Sequence, residues 1–597
     1  MPAEVPAVRP APFGRGEALA CFAVAVMLLV LEGVATLPAV LAGGLINPDS
    51  FMRLDRLLAR LAGGAPPDIV PRGASGLGAP ITSWSHLLDS LLLLIAAPLR
   101  PFMAERPALH AAAIIFGPLG VGLVGAACAW AMAPLAERRW RWTAAALAAL
   151  ASPILSYGLP GVIHHHVLLA FVVVMLAGSA ARIVMAEPRA AWRLGGIAAF
   201  GIWLSPEAMP FVLMAFGGIA LGWVLAAPGD RLGAAAAIAG TVFLALTAAA
   251  FAVDPPTVGP PSAGIWVAQI DRISVIYVVL AAFIAAIGWS LFWLDHAAPA
   301  RRTMLGALLA IGGIVAWMAM FPRVLLGPAA LMPAAEARAF FGHINEMMPV
   351  DSLPKAVAFL LDGAVAEILL LWFVWRGATL RLSLLWGYAS LCLAVMLVLG
   401  QSHARFATYA IAMAAAALPV ALTEVTRRLA PISAGAEAAG RVGLLAVMLL
   451  ANRADAFAAM LAGQPADGDK VCPVAGLAPM LAPYAGQVVL SDVNDVPELL
   501  YRTGVLTVGS LYHSNVAAFL RLRAAWRTLP APHEPAAVRA TRAAYILTCA
   551  GAARSGLVDD LPPDTLEDRL HEGRPPRWLV EVARDAASGN VLYQVRP

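Results

Sequence analysis

Apolar runs long enough to cross a lipid bilayer recur along most of this sequence, and they constrain its fold more than any other feature. The first covers residues 17–43, and others follow between residues 110 and 450. A spanning helix needs ~20 mostly apolar residues, because the bilayer core has no water to satisfy an exposed backbone. Hydrophobic residues make up 60% of the chain and charged residues only 13%, which excludes a soluble enzyme. The sequence predicts a polytopic α-helical membrane protein.

Short basic loops between the apolar runs indicate how the chain crosses the membrane. The thirteen predicted spans are residues 17–43, 110–134, 143–157, 167–185, 197–204, 211–227, 234–253, 274–294, 304–321, 356–375, 384–400, 406–422 and 442–450. Arginines collect in alternate loops, most densely at residues 137–141, and such loops face the cytoplasm. If the N-terminus is cytoplasmic, the basic loops reach the cytoplasm only if the apolar segment 86–103 does not cross the membrane and remains on its outer side. We therefore expect that segment to be an interfacial helix, in a protein of the bacterial inner membrane.

The end of the chain differs in character from the rest. We expect residues 1–452 to form the membrane domain, with long external loops at 45–107 and 322–353, and residues 453–597 to form a periplasmic α/β domain. The predicted strands of this domain are residues 487–492, 505–512, 543–548 and 591–596, with helices between them. Cys472 and Cys549 both lie here, and export of the domain would permit a disulfide between them.

The first external loop begins with an amphipathic helix near Asp49. The apolar face of this helix is formed by Phe51, Leu54, Leu57, Leu58 and Leu61. Arg53, Arg56 and Arg60 fall mostly on the other side, so the helix should lie in the membrane interface. A carboxylate at the exit of a span, with Arg53 one turn later, suits a metal ion or a phosphate. The alternative is that Asp49 only caps the helix.

The order of polar residues in this loop resembles a known family. Asp49, an aromatic residue and Arg53 after the first span are similar to the first external loop of GT-C membrane glycosyltransferases. The pattern most resembles the catalytic subunit of oligosaccharyltransferases and uncharacterised bacterial relatives, in which a Trp-Ser segment and an Asp follow, like Trp84, Ser85 and Asp89. The resemblance implies a GT-C fold of about thirteen spans and a sugar donor carried on a polyprenyl lipid.

The resemblance also implies a divalent metal site. In oligosaccharyltransferases, two acids separated by one residue precede the fourth span and help to hold a metal, and His164 and His166 occupy those places here. A further acid that binds metal or orients the acceptor corresponds to Glu346, so the implied metal set is Asp49, His164, His166 and Glu346. Histidine suits zinc or manganese better than magnesium. The alternatives are a polar interfacial edge for the histidines and a solvated position for Glu346.

Other polar residues at the external face are candidates for binding the donor phosphate or for catalysis. Arg405, Arg53 and Arg272 could each bind a lipid-linked phosphate, although arginines at an interface also extend to water without binding anything. Glu207 ends the segment 203–207, which resembles one in the same bacterial relatives, and we expect it to be a catalytic acid together with Asp49 and Glu346. Its alternative role is a helix-start residue after proline.

These expectations combine into a predicted function. The resemblance implies a glycosyltransferase that moves a sugar or oligosaccharide from a polyprenyl-phosphate-type carrier to an envelope glycan, lipid or protein. The tail lacks the WWDYG signature of N-glycosylating oligosaccharyltransferases, which argues against protein N-glycosylation. A transporter or flippase is the rival; against it, we see no two-fold repeat and predict no charged residue deep within a span. A catalytically inactive scaffold is the third alternative, and no nucleic-acid partner is predicted.

Overall fold

Helices make up most of the chain in the computed structural model. It describes residues 12–63, 84–226, 229–256, 261–342, 344–376, 380–451, 472–552, 554–558 and 560–596. The helices of the membrane domain are α1 (Arg15–Glu32), α2 (Leu37–Leu41), α3 (Pro48–Leu61), α4 (Leu87–Ala96), α5 (Glu105–Ala131), α6 (Trp142–Leu150), α7 (Ser152–Gly158), α8 (His165–Val184), α9 (Ala190–Leu204), α10 (Met209–Leu225), α11 (Leu232–Val253), α12 (Val275–Trp293), α13 (Pro299–Met320), α14 (Ala334–Phe341), α15 (Leu353–Arg376), α16 (Leu380–Ser402), α17 (Ala407–Leu429) and α18 (Ala434–Ala451). Within the described residues, ten helices are long and apolar enough to cross a membrane. The chain is a polytopic helical membrane protein, as predicted.

All thirteen predicted spans coincide with helices of this domain. The span at 143–157 is divided between α6 and α7, because Pro153 in the first turn of α7 lacks a backbone donor. The short run at 197–204 belongs to α9, which has 15 residues. Helix α4 has 10 residues, a length of about 15 Å that is too short to cross a bilayer. This length agrees with the expectation that residues 86–103 do not span.

Small residues bring α5 against the segment that carries the three histidines. A Cβ atom on Gly117 of α5 would lie 2.4 Å from the carbonyl oxygen of Gly158, at the end of α7. A Cβ atom on Gly120 would lie 2.7 Å from Cγ1 of Val167, in the first turn of α8. Backbones can approach this closely only where the side chain is absent, as is common between membrane helices. The contacts fix the turn between α7 and α8, which includes His164.

Helix α3 differs from its prediction in two respects. Its N-cap is Asn47, whose side-chain oxygen accepts a hydrogen bond from Ser50 N, so the proposal that Asp49 only caps the helix is wrong. Asn47 replaces Asp49 as the cap because Pro48 occupies the first helical position. Arg53 and Arg56 are buried rather than directed to an interface, because Asp89 at the start of α4 pairs with both guanidinium groups.

The described part of the C-terminal region is a small α/β domain. Its strands are β1 (Val488–Leu490), β2 (Leu506–Thr507), β3 (Tyr545–Cys549), β4 (Leu579–Arg584) and β5 (Asn590–Val595), and its helices are α19 (Ala478–Leu481), α20 (Val496–Arg502), α21 (Val516–Trp526), α22 (Ala536–Arg539) and α23 (Leu566–His571). The sheet order is β2-β1-β3-β5-β4, with β1 parallel to β2 and β3 and with β5 antiparallel to β3 and β4. All four predicted strands are present, and β4 was not predicted.

A disulfide joins Cys472 to Cys549, which confirms the predicted pair. The predicted domain boundary after residue 452 lies outside the described residues. The domain contacts the end of the first span, where Arg502 donates a hydrogen bond to the carbonyl oxygen of Gly43, and the first external loop, where the rings of Phe51 and Tyr501 lie 5.4 Å apart. It therefore covers the end of the membrane domain at which α3 lies.

A carboxyl group lies deep within the predicted span 356–375, so the prediction that no charged residue does so is wrong. Asp362 is nine residues into α15 and 3% exposed, and neither of its oxygens has a hydrogen-bond partner among the described residues. Further along α15, Glu367 accepts a hydrogen bond from the hydroxyl of Ser390 on α16. Asp362 is buried because α15 packs against α16 and α17.

We expect Asp362→Leu to stabilise the protein. An unpaired buried polar group costs about 1–3 kcal/mol, and leucine of similar size removes that cost. Thermal unfolding of the purified protein in detergent should therefore occur at a higher temperature than for the wild type. Glu367→Leu is the control, because it deprives Ser390 of its acceptor and should bring no gain. A lower unfolding temperature for Asp362→Leu would contradict the prediction.

We expect the C-terminal domain and the α5–α6 loop to lie on opposite sides of the membrane. The side chain of Arg139 in this loop is 53% exposed, and Ser514 is exposed in the C-terminal domain, so a cysteine at either position is accessible. A membrane-impermeant maleimide added to intact spheroplasts should label Ser514→Cys but not Arg139→Cys. Permeabilised spheroplasts should show both labelled. Labelling of Arg139→Cys from outside would show that the proposed orientation is wrong.

Candidate functional site

The three consecutive histidines meet Glu346 at one end of the membrane domain. His164 directly precedes α8, His166 lies in its first turn, and Glu346 lies in a short 3-10 turn between α14 and α15. Tyr157 of α7 joins them, since its ring lies 4.6 Å from the ring of His164 and 4.8 Å from that of His166. The Tyr157 hydroxyl donates a hydrogen bond of 2.6 Å to Oε2 of Glu346.

Two predicted acids contact the histidines directly. Oδ2 of Asp49 lies 3.2 Å from Nε2 of His164, and Oε1 of Glu346 lies 3.9 Å from Nε2 of His166. Burial raises the pKa of a carboxyl group, but His166, His164 and the Tyr157 hydroxyl outweigh it and hold the pKa of Glu346 well below its usual range. Glu346 is therefore a carboxylate at neutral pH. The structure brings Asp49, His164, His166 and Glu346 into one cluster.

Glu207 and Arg405 form the other side of the same cluster. Oε1 of Glu207 lies 2.9 Å from NH1 of Arg405, and its Oε2 lies 3.6 Å from Nδ1 of His166. A hydrogen bond of 2.8 Å joins Nδ1 of His166 to the hydroxyl of Tyr409 on α17. His166 thus lies between Glu346 and Glu207, and Glu207 links it to Arg405.

Arg53 lies one turn of α3 beyond Asp49 and is held from two sides. Its guanidinium carbon lies 3.9 Å from the ring centre of Trp84, and NH1 lies 3.9 Å from Oδ1 of Asp89. Burial and the neighbouring Arg56 lower the pKa of Arg53 to about 10, so it remains charged at neutral pH. The Trp84 ring also packs on Tyr512 of the C-terminal domain, with ring centres 5.3 Å apart.

Arg272 occupies a different position from the other predicted phosphate ligands. It is fully buried, and NH2 lies 2.5 Å from Oδ1 of Asp254. Asp254 also accepts hydrogen bonds from the His86 backbone at 2.7 Å and from the Trp203 indole at 2.9 Å. Burial is again outweighed, here by His86, Arg272 and Trp203, so the pKa of Asp254 is lowered. These contacts tie α4, α9 and the α11–α12 loop together, and a phosphate-binding role for Arg272 stays a prediction.

Solved structures of oligosaccharyltransferases from Archaeoglobus fulgidus are similar to this chain. AglB in complex with an inhibitory peptide and a dolichol-phosphate matches with a TM-score of 0.60 and 13% identity, over 90% of this chain and 70% of its own. The complex with Zn and sulfate matches with a TM-score of 0.57 and 14% identity, over 89% of this chain and 67% of its own. The chain has the GT-C fold.

The remaining comparisons give no closer relationship. ArnT from Cupriavidus metallidurans, bound to undecaprenyl phosphate, aligns over 97% of this chain and 98% of its own at 14% identity, but its TM-score is 0.39. No family model matches the chain, and no curated protein matches it either. At these identities the likeness concerns the GT-C fold alone, and the chemistry has to be argued from the site.

The donor set of this GT-C chain fits a divalent metal ion. His164, His166 and Glu346 each offer one ligand atom, and these atoms lie within 4.8 Å of one another; His165, His166 and Glu207 form a second such group. Nδ1 of His164 and Nε2 of His166 are buried and have no hydrogen-bond partner among the described residues. Two imidazole nitrogens with a carboxylate favour zinc over magnesium. Asp49 stands outside the first group and reaches it through His164.

Several residues of the site were not predicted. Tyr157 and Tyr409 bond directly to predicted residues, yet each belongs to the end of a predicted apolar span, where a tyrosine usually only packs. Asp254, the partner of Arg272, directly follows the last residue of α11. A hydroxyl or carboxyl at the outer end of a predicted span is the one signal in the sequence that could have identified them.

Proposed function

We propose that this protein is a glycosyltransferase that moves a sugar or oligosaccharide from a polyprenyl-phosphate-type carrier to an envelope acceptor, at the outer face of the inner membrane. The GT-C fold supports a transferase, and one of its structural neighbours is solved with a dolichol-phosphate. The observation that carries the proposal is the cluster in which carboxylates, imidazoles and Arg405 converge at one end of the spans.

Asp49 is the group that we assign to the acceptor. A hydroxyl or amide acceptor loses a proton as it attacks the sugar, and a carboxylate in contact with it can take that proton. The Asp49 side chain is 33% exposed, so it is accessible to an acceptor, and His164 at 3.2 Å holds one of its oxygens. Glu207 pairs with Arg405, and Glu346 contacts His166, which holds these two side chains in place.

Arg405 is the group that we assign to the donor phosphate. The bond that breaks joins the sugar to a phosphate, which leaves with increased negative charge. A guanidinium binds such a phosphate through two parallel hydrogen bonds, and Nε of Arg405 is buried with no partner among the described residues. Arg53 adds a second positive charge near Asp49. A zinc, manganese or magnesium ion held by His164, His166 and Glu346, with Asp49 beside them, would supply further charge neutralisation.

Mass spectrometry of envelope glycans and of lipid-linked sugars tests this proposal. Cells without the gene should lose one modified acceptor and accumulate its lipid-linked donor, and the wild-type gene should restore both. Complementation by Asp49→Asn should fail if the protein is an enzyme and succeed if it is an inactive scaffold. If the protein is instead a flippase, the purified protein in nanodiscs should transfer no sugar from a polyprenyl-linked donor. Unchanged envelope glycans in cells without the gene would refute the proposal.

A further inference from the structure

A cavity of about 580 Å³ lies among α8, α10, α11, α15 and α16, away from the candidate site. The site uses the starts of α8 and α10, whereas the cavity is lined by the last turns of these helices, including Val184 and Leu225. The start of α16, at Ser383 and Leu384, completes its wall. The cavity therefore belongs to the opposite membrane leaflet.

The lining of this cavity is apolar, and glycines keep it open. Its walls are formed by Ala180, Val184, Gly218, Leu221, Gly222, Leu225, Ala226, Asp230, Leu232, Val374, Ser383, Leu384, Leu385, Gly387, Tyr388 and Leu391. A Cβ atom on Gly222 would meet only Leu232 and Val184, at 3.8 Å, and one on Gly387 would meet nothing within 4 Å. Well-packed interiors contain few voids larger than a water molecule, whereas small-molecule sites measure roughly 300–1,000 Å³.

We propose that this cavity binds an acyl chain of a phospholipid from the leaflet opposite the candidate site. Three of its lining residues, Leu221, Leu225 and Leu391, have exposed side chains on membrane-spanning helices, so a hydrocarbon chain can enter it from the bilayer. Asp230 marks the polar rim, and the next residue, Arg231, has an exposed side chain that can meet a lipid phosphate. A polyprenyl carrier is disfavoured as the occupant, because its phosphate belongs at the other end of the spans. Only this exclusion of the carrier rests on the proposed function.

Photo-crosslinking in nanodiscs tests this proposal. The probe is a phospholipid with a diazirine in its acyl chain, and wild-type crosslinks should map to residues 218–226 and 383–391. The double variant Gly222→Leu with Gly387→Leu fills the cavity, and its crosslinks should fall about tenfold. Gly217→Leu is the matched control, because Gly217 lies on α10 with nothing within 4 Å of an added Cβ and does not line the cavity.

Native mass spectrometry of the wild type provides a test that does not rely on the variants folding. At least one phospholipid should remain bound after mild delipidation. Crosslinks that persist in the folded double variant, or a wild-type protein that retains no phospholipid, would overturn the proposal. Displacement of the probe by polyprenyl phosphate would also overturn it, in favour of the carrier as occupant.

Discussion

Asp49→Asn is expected to lower the rate of sugar transfer about a hundredfold or more, the scale for losing a general base or an equivalent carboxylate. Asparagine keeps the size of the side chain but removes the negative charge that faces Nε2 of His164 at 3.2 Å. The fold should survive, because Asn47 rather than Asp49 caps α3. The measurement is the transfer rate of the purified variant with a polyprenyl-phosphate-linked donor.

Asp351→Asn is a suitable control for this experiment. Asp351 lies in the same long external loop as Glu346 but is exposed and pairs with Lys355, so its loss should leave transfer unchanged. Both variants should unfold at temperatures close to that of the wild type. If folded Asp49→Asn transferred sugar at the wild-type rate, Asp49 would have no role in the chemistry.

The membrane architecture could be predicted because two independent signals agree. Long apolar runs locate the spans, and basic loops indicate which side of the membrane each loop faces. Together these signals excluded even the short α4 as a span. The acids of α15 were missed by this reasoning, since Asp362 and Glu367 sit in a run with many apolar residues. The burial of Asp362 depends on how α15 packs against α16 and α17, and the sequence pattern of a single segment does not show that packing.

The residues of the candidate site could be predicted where the resemblance to oligosaccharyltransferases indicated their positions in the sequence. It identified Asp49, His164, His166 and Glu346, which come from three segments more than a hundred positions apart and which the structure places in one cluster. The partners of the arginines could not be predicted. The sequence does not reveal that Arg272 bonds to Asp254, because that contact depends on where the loop after α11 returns to the start of α12.

Glu346→Gln is expected to weaken both zinc binding and sugar transfer. The amide can still accept the hydrogen bond from the Tyr157 hydroxyl, but it removes the negative charge 3.9 Å from Nε2 of His166. Loss of an outer-shell partner costs ~10–100-fold in metal affinity, and loss of a ligand should cost more. If Glu346 and Asp49 act on the same site, the double variant should be little slower than either single one.

Titration of purified protein with Zn²⁺ measures the zinc affinity of Glu346→Gln, and the transfer assay measures its rate of sugar transfer. Asp351→Asn again serves as the control for both. His164→Asp is the informative companion, because it introduces the acid expected at this position in relatives; it should retain transfer and shift the preferred ion from zinc towards manganese or magnesium. Wild-type zinc affinity in Glu346→Gln would remove Glu346 from the metal site. Additive losses in the double variant would place Asp49 and Glu346 in separate steps.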